Sequence, residues 1–254
     1  MVEKFSQNLN ENIKGKKIGV IKEFINNISD ERIFKIFQLA LDTVKQLGAE
    51  IVEVSVPLTQ YAVPMYYLIS ASEASSNFAR YDGVKYGYRT SHDKSSNLSL
   101  DDFYSLSRGE GFGAEVKRRI MLGTYALSAG YSDAFYLKAC KVRRLLRQQF
   151  LDAFEKCEVI MGPVTTAPAF KLGEKAADPL KNYLNDIFTT STNLCGLPGM
   201  SVPFSSTTDG SYFLPIGVQL TAPHFQEQTM LNFAYALEAT QPATDFRKLK
   251  PHVY

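Results

Sequence analysis

Lys17 to Ile21 (KIGVI), residues 30–47 (DERIFKIFQLALDTVKQL) and Ile51 to Val56 (IVEVSV) form the stretch on which the fold turns. The first and last segments are short and rich in β-branched side chains, as buried strands are. The middle segment repeats its apolar residues at helical spacing, so that Ile33, Ile36, Phe37, Ala40, Val44 and Leu47 share one face. Ser29 or Asp30 is placed to cap this helix and Gly48 to end it. Strand, helix and strand with short joints read as a β-α-β unit, whose two strands must then run parallel. The first turn, KEFINNISD, has no GxGxxG, so a dinucleotide-binding version of this unit is excluded.

Working outward, Pro64 to Arg80 reads as a helix rich in Ala and Ser, residues that let two helices approach closely. Residues 82–100 have no period and many turn formers, which predicts a long surface loop of the kind that often lines a site. Helix resumes over Asp101 to Ser107 and Gly113 to Leu127, and a long amphipathic helix covers Ser132 to Lys156. The basic run on that helix, Lys141, Arg143, Arg144 and Arg147, fits a solvated face better than an RNA contact, because Asp152 and Glu155 follow it. Glu158 to Met161 begins a further strand, closed by Gly162-Pro163. Met200 to Phe204 and Ile216 to Leu220 read as strands joined by a polar turn, SSTTDGS, before a last helix over Gln226 to Glu238. Strands alternate with helices throughout and no linker or repeat interrupts them. The expectation is an α/β fold, a mixed sheet covered by helices, in one domain spanning 1–254.

The composition agrees. At 254 residues and 45% hydrophobic, the chain has apolar surface enough for a large core, which excludes a disordered or disulfide-stapled protein. Lys plus Arg is 28 against 26 for Asp plus Glu, a net charge of +2, which does not mark a nucleic-acid groove or an anionic membrane surface. Cys140, Cys157 and Cys195 form no CxxC pair and read as reduced thiols. No apolar run reaches the length of a membrane span, and the N-terminal arm lacks a signal-peptide core, so a soluble cytoplasmic protein with no membrane partner is expected.

Candidate chemistry is sparse. His92, His224 and His252 lie far apart, no HExxH or Cys/His cluster exists, and no GxSxG is present, so neither a metal site nor a Ser-His-Asp hydrolase is expected. Two regions stand out. In GEGFGAEVKRRIMLGTYALSAGY (109–131), Lys117, Arg118 and Arg119 interrupt an otherwise apolar or small-residue helix; an inward Arg must find an anion, while a surface basic turn accounts for any one of the three equally well. In NYLNDIFTTSTNLCGLPGMSVP (182–203), Asp186 is followed by hydroxyls at Thr189, Thr190, Ser191 and Thr192. Gly196, Pro198 and Gly199 then suit either a polar pocket floor or a plain packing turn.

The 109–131 block, NLCGLPGMSVP and PIGVQL resemble the amidase signature family, and within it the A subunits of glutamyl-tRNA(Gln) amidotransferases, over essentially the whole chain. The resemblance is to the C-terminal half of those subunits. It implies amide hydrolysis by a Ser, cis-Ser, Lys triad in a Gly- and Ser-rich signature that would lie upstream of Met1. No Gly-Gly dipeptide occurs here, and Ser75-Ser76, Ser95-Ser96 and Ser205-Ser206 lack the glycine setting, so no catalytic residue is assigned.

What the resemblance carries over is a substrate grip: Arg119 for the α-carboxylate of glutamine, Asp186 for its α-ammonium, and Tyr67 of the Tyr66-Tyr67 pair lining the pocket. A zwitterion calls for one fixed cation and one fixed anion, which a general amidase would not need. The partners implied are the missing N-terminal half, the B and C subunits of the amidotransferase, and Glu-tRNA(Gln) reached through a partner subunit that also takes ATP and Mg; no cofactor is implied in this chain. The competing readings are a non-catalytic assembly or binding module and the C-terminal region of a general amidase.

Overall fold

The structure is a computed structural model and describes residues 4–91, 98–173, 185–210 and 212–240. Its contacts group into two compact units, Met1–Val63 with Arg143–Tyr254, and Pro64–Val142. The sequence reading draws no boundary at either position, because both fall inside helical stretches with no change of composition.

The first unit holds a five-stranded mixed sheet in the order β2-β1-β3-β5-β4. The expected β-α-β unit is there: β1 (Lys17–Ile21) and β2 (Glu50–Val54) pair in parallel, joined through a short α1 (Lys22–Asn26) and α2 (Glu31–Gln46). Asp30 caps α2 by accepting the Arg32 N–H at 2.9 Å, a contact worth about 1 kcal/mol. Gly48, at φ 87°, ends it; Ala49 N–H donates to the Val44 carbonyl and Gly48 N–H to that of Lys45, the paired bonds of a Schellman turn.

β3 (Val159–Pro163) adds to β1 in parallel and to β5 (Tyr212–Thr221) antiparallel, and β4 (Gly199–Asp209) closes the edge against β5. One sheet face carries Ile18, Val20, Val159, Met161, Val202, Phe204, Val218 and Leu220. These pack against Phe37, Leu41 and Val44 of α2 and Met230, Phe233 and Leu237 of α8 (Glu227–Thr240). Each large side chain buried this way contributes roughly 1.5–3 kcal/mol.

The hairpin departs from the sequence reading. The segment SSTTDGS is not a turn: Ser205, Ser206, Thr207 and Thr208 pair with Ile216, Pro215, Leu214 and Phe213, and the strands meet only at Asp209 and Tyr212. The ladder outruns the helices that cover it, so its outer rungs stay partly in water and tolerate polar side chains, while threonine is itself a good strand former. A bulge at Phe204 bends the strand next to Pro203, whose missing N–H an edge strand accommodates.

Between the first and last parts of that unit run α3 (Ala62–Phe78), α4 (Leu100–Gly111) and α5 (Ala114–Leu127), followed by a π-helical turn at Asp133–Leu137 and α6 (Lys138–Phe154). The Ala/Ser stripe of α3 does allow a close helix contact: at Gly123 of α5 a Cβ would lie 2.0 Å from the Ala71 carbonyl oxygen, and the neighbouring hydroxyls of Ser75 and Thr124 are 3.0 Å apart. α4 runs four residues past Ser107, starting from a Ser99 cap that accepts the Asp102 N–H. Lys141, Arg144 and Arg147 of α6 are exposed and Arg143 is half-buried. No described helix is long and apolar enough to cross a membrane.

Burial pushes the Cys157 thiol up to about 11 and that of Cys195 up to about 12. At pH 8 each should therefore hold roughly a thousandth or less of its molecules as the reactive thiolate. Iodoacetamide at that pH should label half-buried Cys140 first in the folded protein. Peptide mass spectrometry that found Cys157 or Cys195 labelled at the same rate would contradict this burial.

Candidate functional site

The charged residues singled out by sequence fall into both units. Arg119, Tyr66 and Tyr67 belong to the second and come together there. Asp186 belongs to the first.

The cluster around Arg119 follows from helix geometry. α5 opens at Gly113, and Glu115 in its first turn suits the positive end of the helix dipole. Three and four residues later, on the same face, stand Arg118 and Arg119. Arg118 grips the Glu115 carboxylate with both arms, Nε to Oε2 at 2.8 Å and Nη2 to Oε1 at 2.7 Å. Arg119 donates its Nε–H to the same Oε1 at 2.8 Å and its Nη1–H to the Tyr66 hydroxyl of α3 at 3.0 Å.

The guanidinium carbon sits 5.9 Å from the Tyr66 ring centre and 5.6 Å from that of Tyr67, and the two rings meet edge to face at 5.1 Å. Both contacts fall within cation–π range. Arg118, first, and Arg119 hold the Glu115 carboxyl down at about 2, and Glu115, then Tyr66, raise the Arg119 guanidinium further above its ordinary value. The Arg119 side chain is 29% exposed, against about half for its two charged neighbours. Among the described residues its Nη2 has no partner.

Tyr67 meets Arg119 through its ring. The hydroxyl that touches Arg119 comes from Tyr66, which the resemblance did not select. Glu115 was missed as well, although Glu four residues before Arg on one helix is a readable signal.

Asp186 is exposed, and its carboxylate makes no hydrogen bond or ion pair among the described residues. Its carbonyl starts α7 (Thr190–Cys195) by accepting the Thr190 N–H at 3.0 Å and hydroxyl at 2.7 Å. Thr190, Ser191 and Thr192 are buried, Thr192 meets the Thr221 hydroxyl at 3.2 Å, and Gly196 ends α7 at φ 66°. The hydroxyls face inward because Phe188, fully buried against the Phe24 ring, anchors this segment on the sheet.

His224 holds the Cys195 carbonyl at 3.1 Å, a packing role; His92, His252, Ser95 and Ser96 lie outside the described residues. Among the described residues no three His, Cys, Asp or Glu side chains gather as a metal site would require. A cavity of about 450 Å³ in the first unit is lined by Val164, Pro168, Phe170, Pro203, Pro215 and neighbours, and offers no acid, base or charge. Arg119, with its Nη2 unpartnered among the described residues, can hold an anion.

An amidase family model matches residues 1–231. Among curated relatives, the A subunit of the Bdellovibrio bacteriovorus glutamyl-tRNA(Gln) amidotransferase is 62% identical over 99% of this chain and 50% of its own length. Its counterpart from Koribacter versatilis is 53% identical over 93% of this chain and 48% of its own. The chain thus spans about half the length of the curated relatives it matches. The crystal structure of the corresponding Thermotoga maritima glutamyl-tRNA(Gln) amidotransferase protein superposes with a TM-score of 0.68 at 35% identity, covering 92% of this chain and 44% of that one. The fold of an amidase crystal structure at 22% identity matches equally well, with a TM-score of 0.68. With its family model covering most of its residues, and with both sequence and fold relatives of the same kind, the chain belongs to the amidase family.

Proposed function

We propose that this chain is the glutamine-holding part of a glutamine-hydrolysing amidase subunit, matching the C-terminal half of the A subunits of tRNA-dependent amidotransferases. The observation that carries the reading is Arg119, a half-buried arginine fixed by Glu115 and two tyrosines with one corner of its fork open. A planar guanidinium held this way suits a carboxylate in two parallel hydrogen bonds. Arg119 would take the α-carboxylate of glutamine, and the Tyr67 ring would flank it.

The nucleophile and its activating residues would come from the remaining half of the relatives' length. Ammonia released there would pass to the B and C subunits, where ATP and Mg support amidation of Glu-tRNA(Gln) to Gln-tRNA(Gln). The setting would be the cytoplasm.

The test is ammonia release from glutamine. The chain alone should give none above blank, since removing a nucleophile and base together loses several powers of ten. Co-expressed and co-purified with a polypeptide supplying the other half of the relatives' length, it should turn glutamine over. A folded pair with no turnover would leave the chain as an assembly module. Turnover by the lone chain that one of its own serines abolishes would place the chemistry here instead.

A further inference from the structure

We infer that Glu115, acting with Tyr66, is the positioning residue that decides which edge of Arg119 meets a substrate carboxylate. This inference rests on the glutamine reading and deepens it. A guanidinium offers a carboxylate two edges, one through Nε and one through its two Nη atoms. The Nε edge is engaged by Glu115 Oε1 at 2.8 Å, and one hydrogen of Nη1 is taken by the Tyr66 hydroxyl at 3.0 Å. With the rings of Tyr66 and Tyr67 beside the plane, what remains for a ligand is the end of the fork around Nη2.

An acid next to a binding arginine also invites the opposite reading, that of an internal anion filling the site. The partners of Glu115 argue against it. Arg118 takes both of its oxygens in a bidentate grip, so the acid is already matched by a cation of its own, and the group of three sums to one positive charge. Arg119 therefore keeps attraction for an incoming anion while its orientation is fixed, and the entropy of freezing a long side chain is spent on folding, before the ligand arrives. A surface ion pair alone would contribute little; here its geometry is what matters.

The experiment uses the reconstituted pair and compares glutamine with butyramide, a primary amide without the amino-acid end. Glu115→Ala should raise KM for glutamine about tenfold, the loss expected for one charge-assisted hydrogen bond, with a smaller change in kcat, and should lower the glutamine-to-butyramide ratio of kcat/KM. Glu115→Gln, which keeps an oxygen in place of Oε1, should recover part of that loss. Equal losses on both amides would make Glu115 a structural residue, and a lower KM for glutamine in Glu115→Ala would make it a blocking anion; either result overturns the inference and leaves the substrate reading standing. If Arg119→Ala itself leaves the ratio unchanged, or a folded wild-type pair hydrolyses neither amide, the substrate reading fails and this inference with it.

Discussion

Arg119→Ala in the reconstituted pair should lower kcat/KM for glutamine by roughly 30- to 4000-fold, corresponding to about 2–5 kcal/mol for truncating one partner of a desolvated charge-assisted pair. The same substitution should have far less effect on a simple primary amide. The asymmetry follows from where Arg119 would act, at the end of the substrate that does not react, so that its loss removes positioning energy and leaves the reacting groups untouched. Arg119→Lys should restore only a fraction, because an ammonium can neither reproduce the two parallel bonds nor keep the Nε contact to Glu115 and the Nη1 contact to Tyr66 at once. The quantity to measure is the ratio of kcat/KM for the two amides. An unchanged ratio would make Arg119 a structural residue and withdraw glutamine as the ligand.

Gly123→Ala should destabilise the second unit by about 2–3 kcal/mol, although alanine is intrinsically the better helix former by about 1 kcal/mol. The added methyl would stand 2.0 Å from the Ala71 carbonyl oxygen and 2.7 Å from the Ser75 Cβ, and a backbone carbonyl cannot swing aside as a side chain can. The helices would have to part, weakening the Ser75 and Thr124 hydroxyl contact, and overpacking of this kind outweighs the propensity gain. In a protein of this size the melting temperature should fall by roughly 5–10 °C. Gly109→Ala on α4 is the control: its new methyl meets nothing within 4 Å, so only the propensity term acts and stability should hold or rise. Equal melting temperatures for the two variants would show that α3 and α5 are not in the contact described.

Periodicity made the β-α-β unit legible because one face of α2 is buried along its whole length, with Phe37, Ala40 and Val44 at helical spacing. The outer hairpin was not legible, since hydrophobic alternation reports burial and the rungs beyond Phe204 have little of it. The division into two units was hidden for a related reason: the chain passes between them inside helices, and a helix carries no mark of which core each turn serves. At the site, the resemblance named Arg119 and Tyr67, whereas Tyr66 and Glu115, which hold Arg119 by hydrogen bonds, went unnamed. Tyr66 and Tyr67 are neighbours of identical type, and only the direction each side chain takes from α3 separates a hydroxyl partner from a ring face.

The low proton affinity of Glu115 has a consequence for titration. A carboxyl held at about 2 carries its charge throughout the range in which proteins are assayed, and both arginines keep theirs, so the cluster bears the same single positive charge at pH 5 and at pH 9. Because the folded value lies below the ordinary 4.5, whatever stability the acid lends is present above that value and lost as pH falls toward 2; with its side chain half exposed, that share is small. An anion approaching Arg119 meets a field that buffers do not alter. Any bell or slope in a profile of substrate capture against pH then belongs to groups outside this cluster.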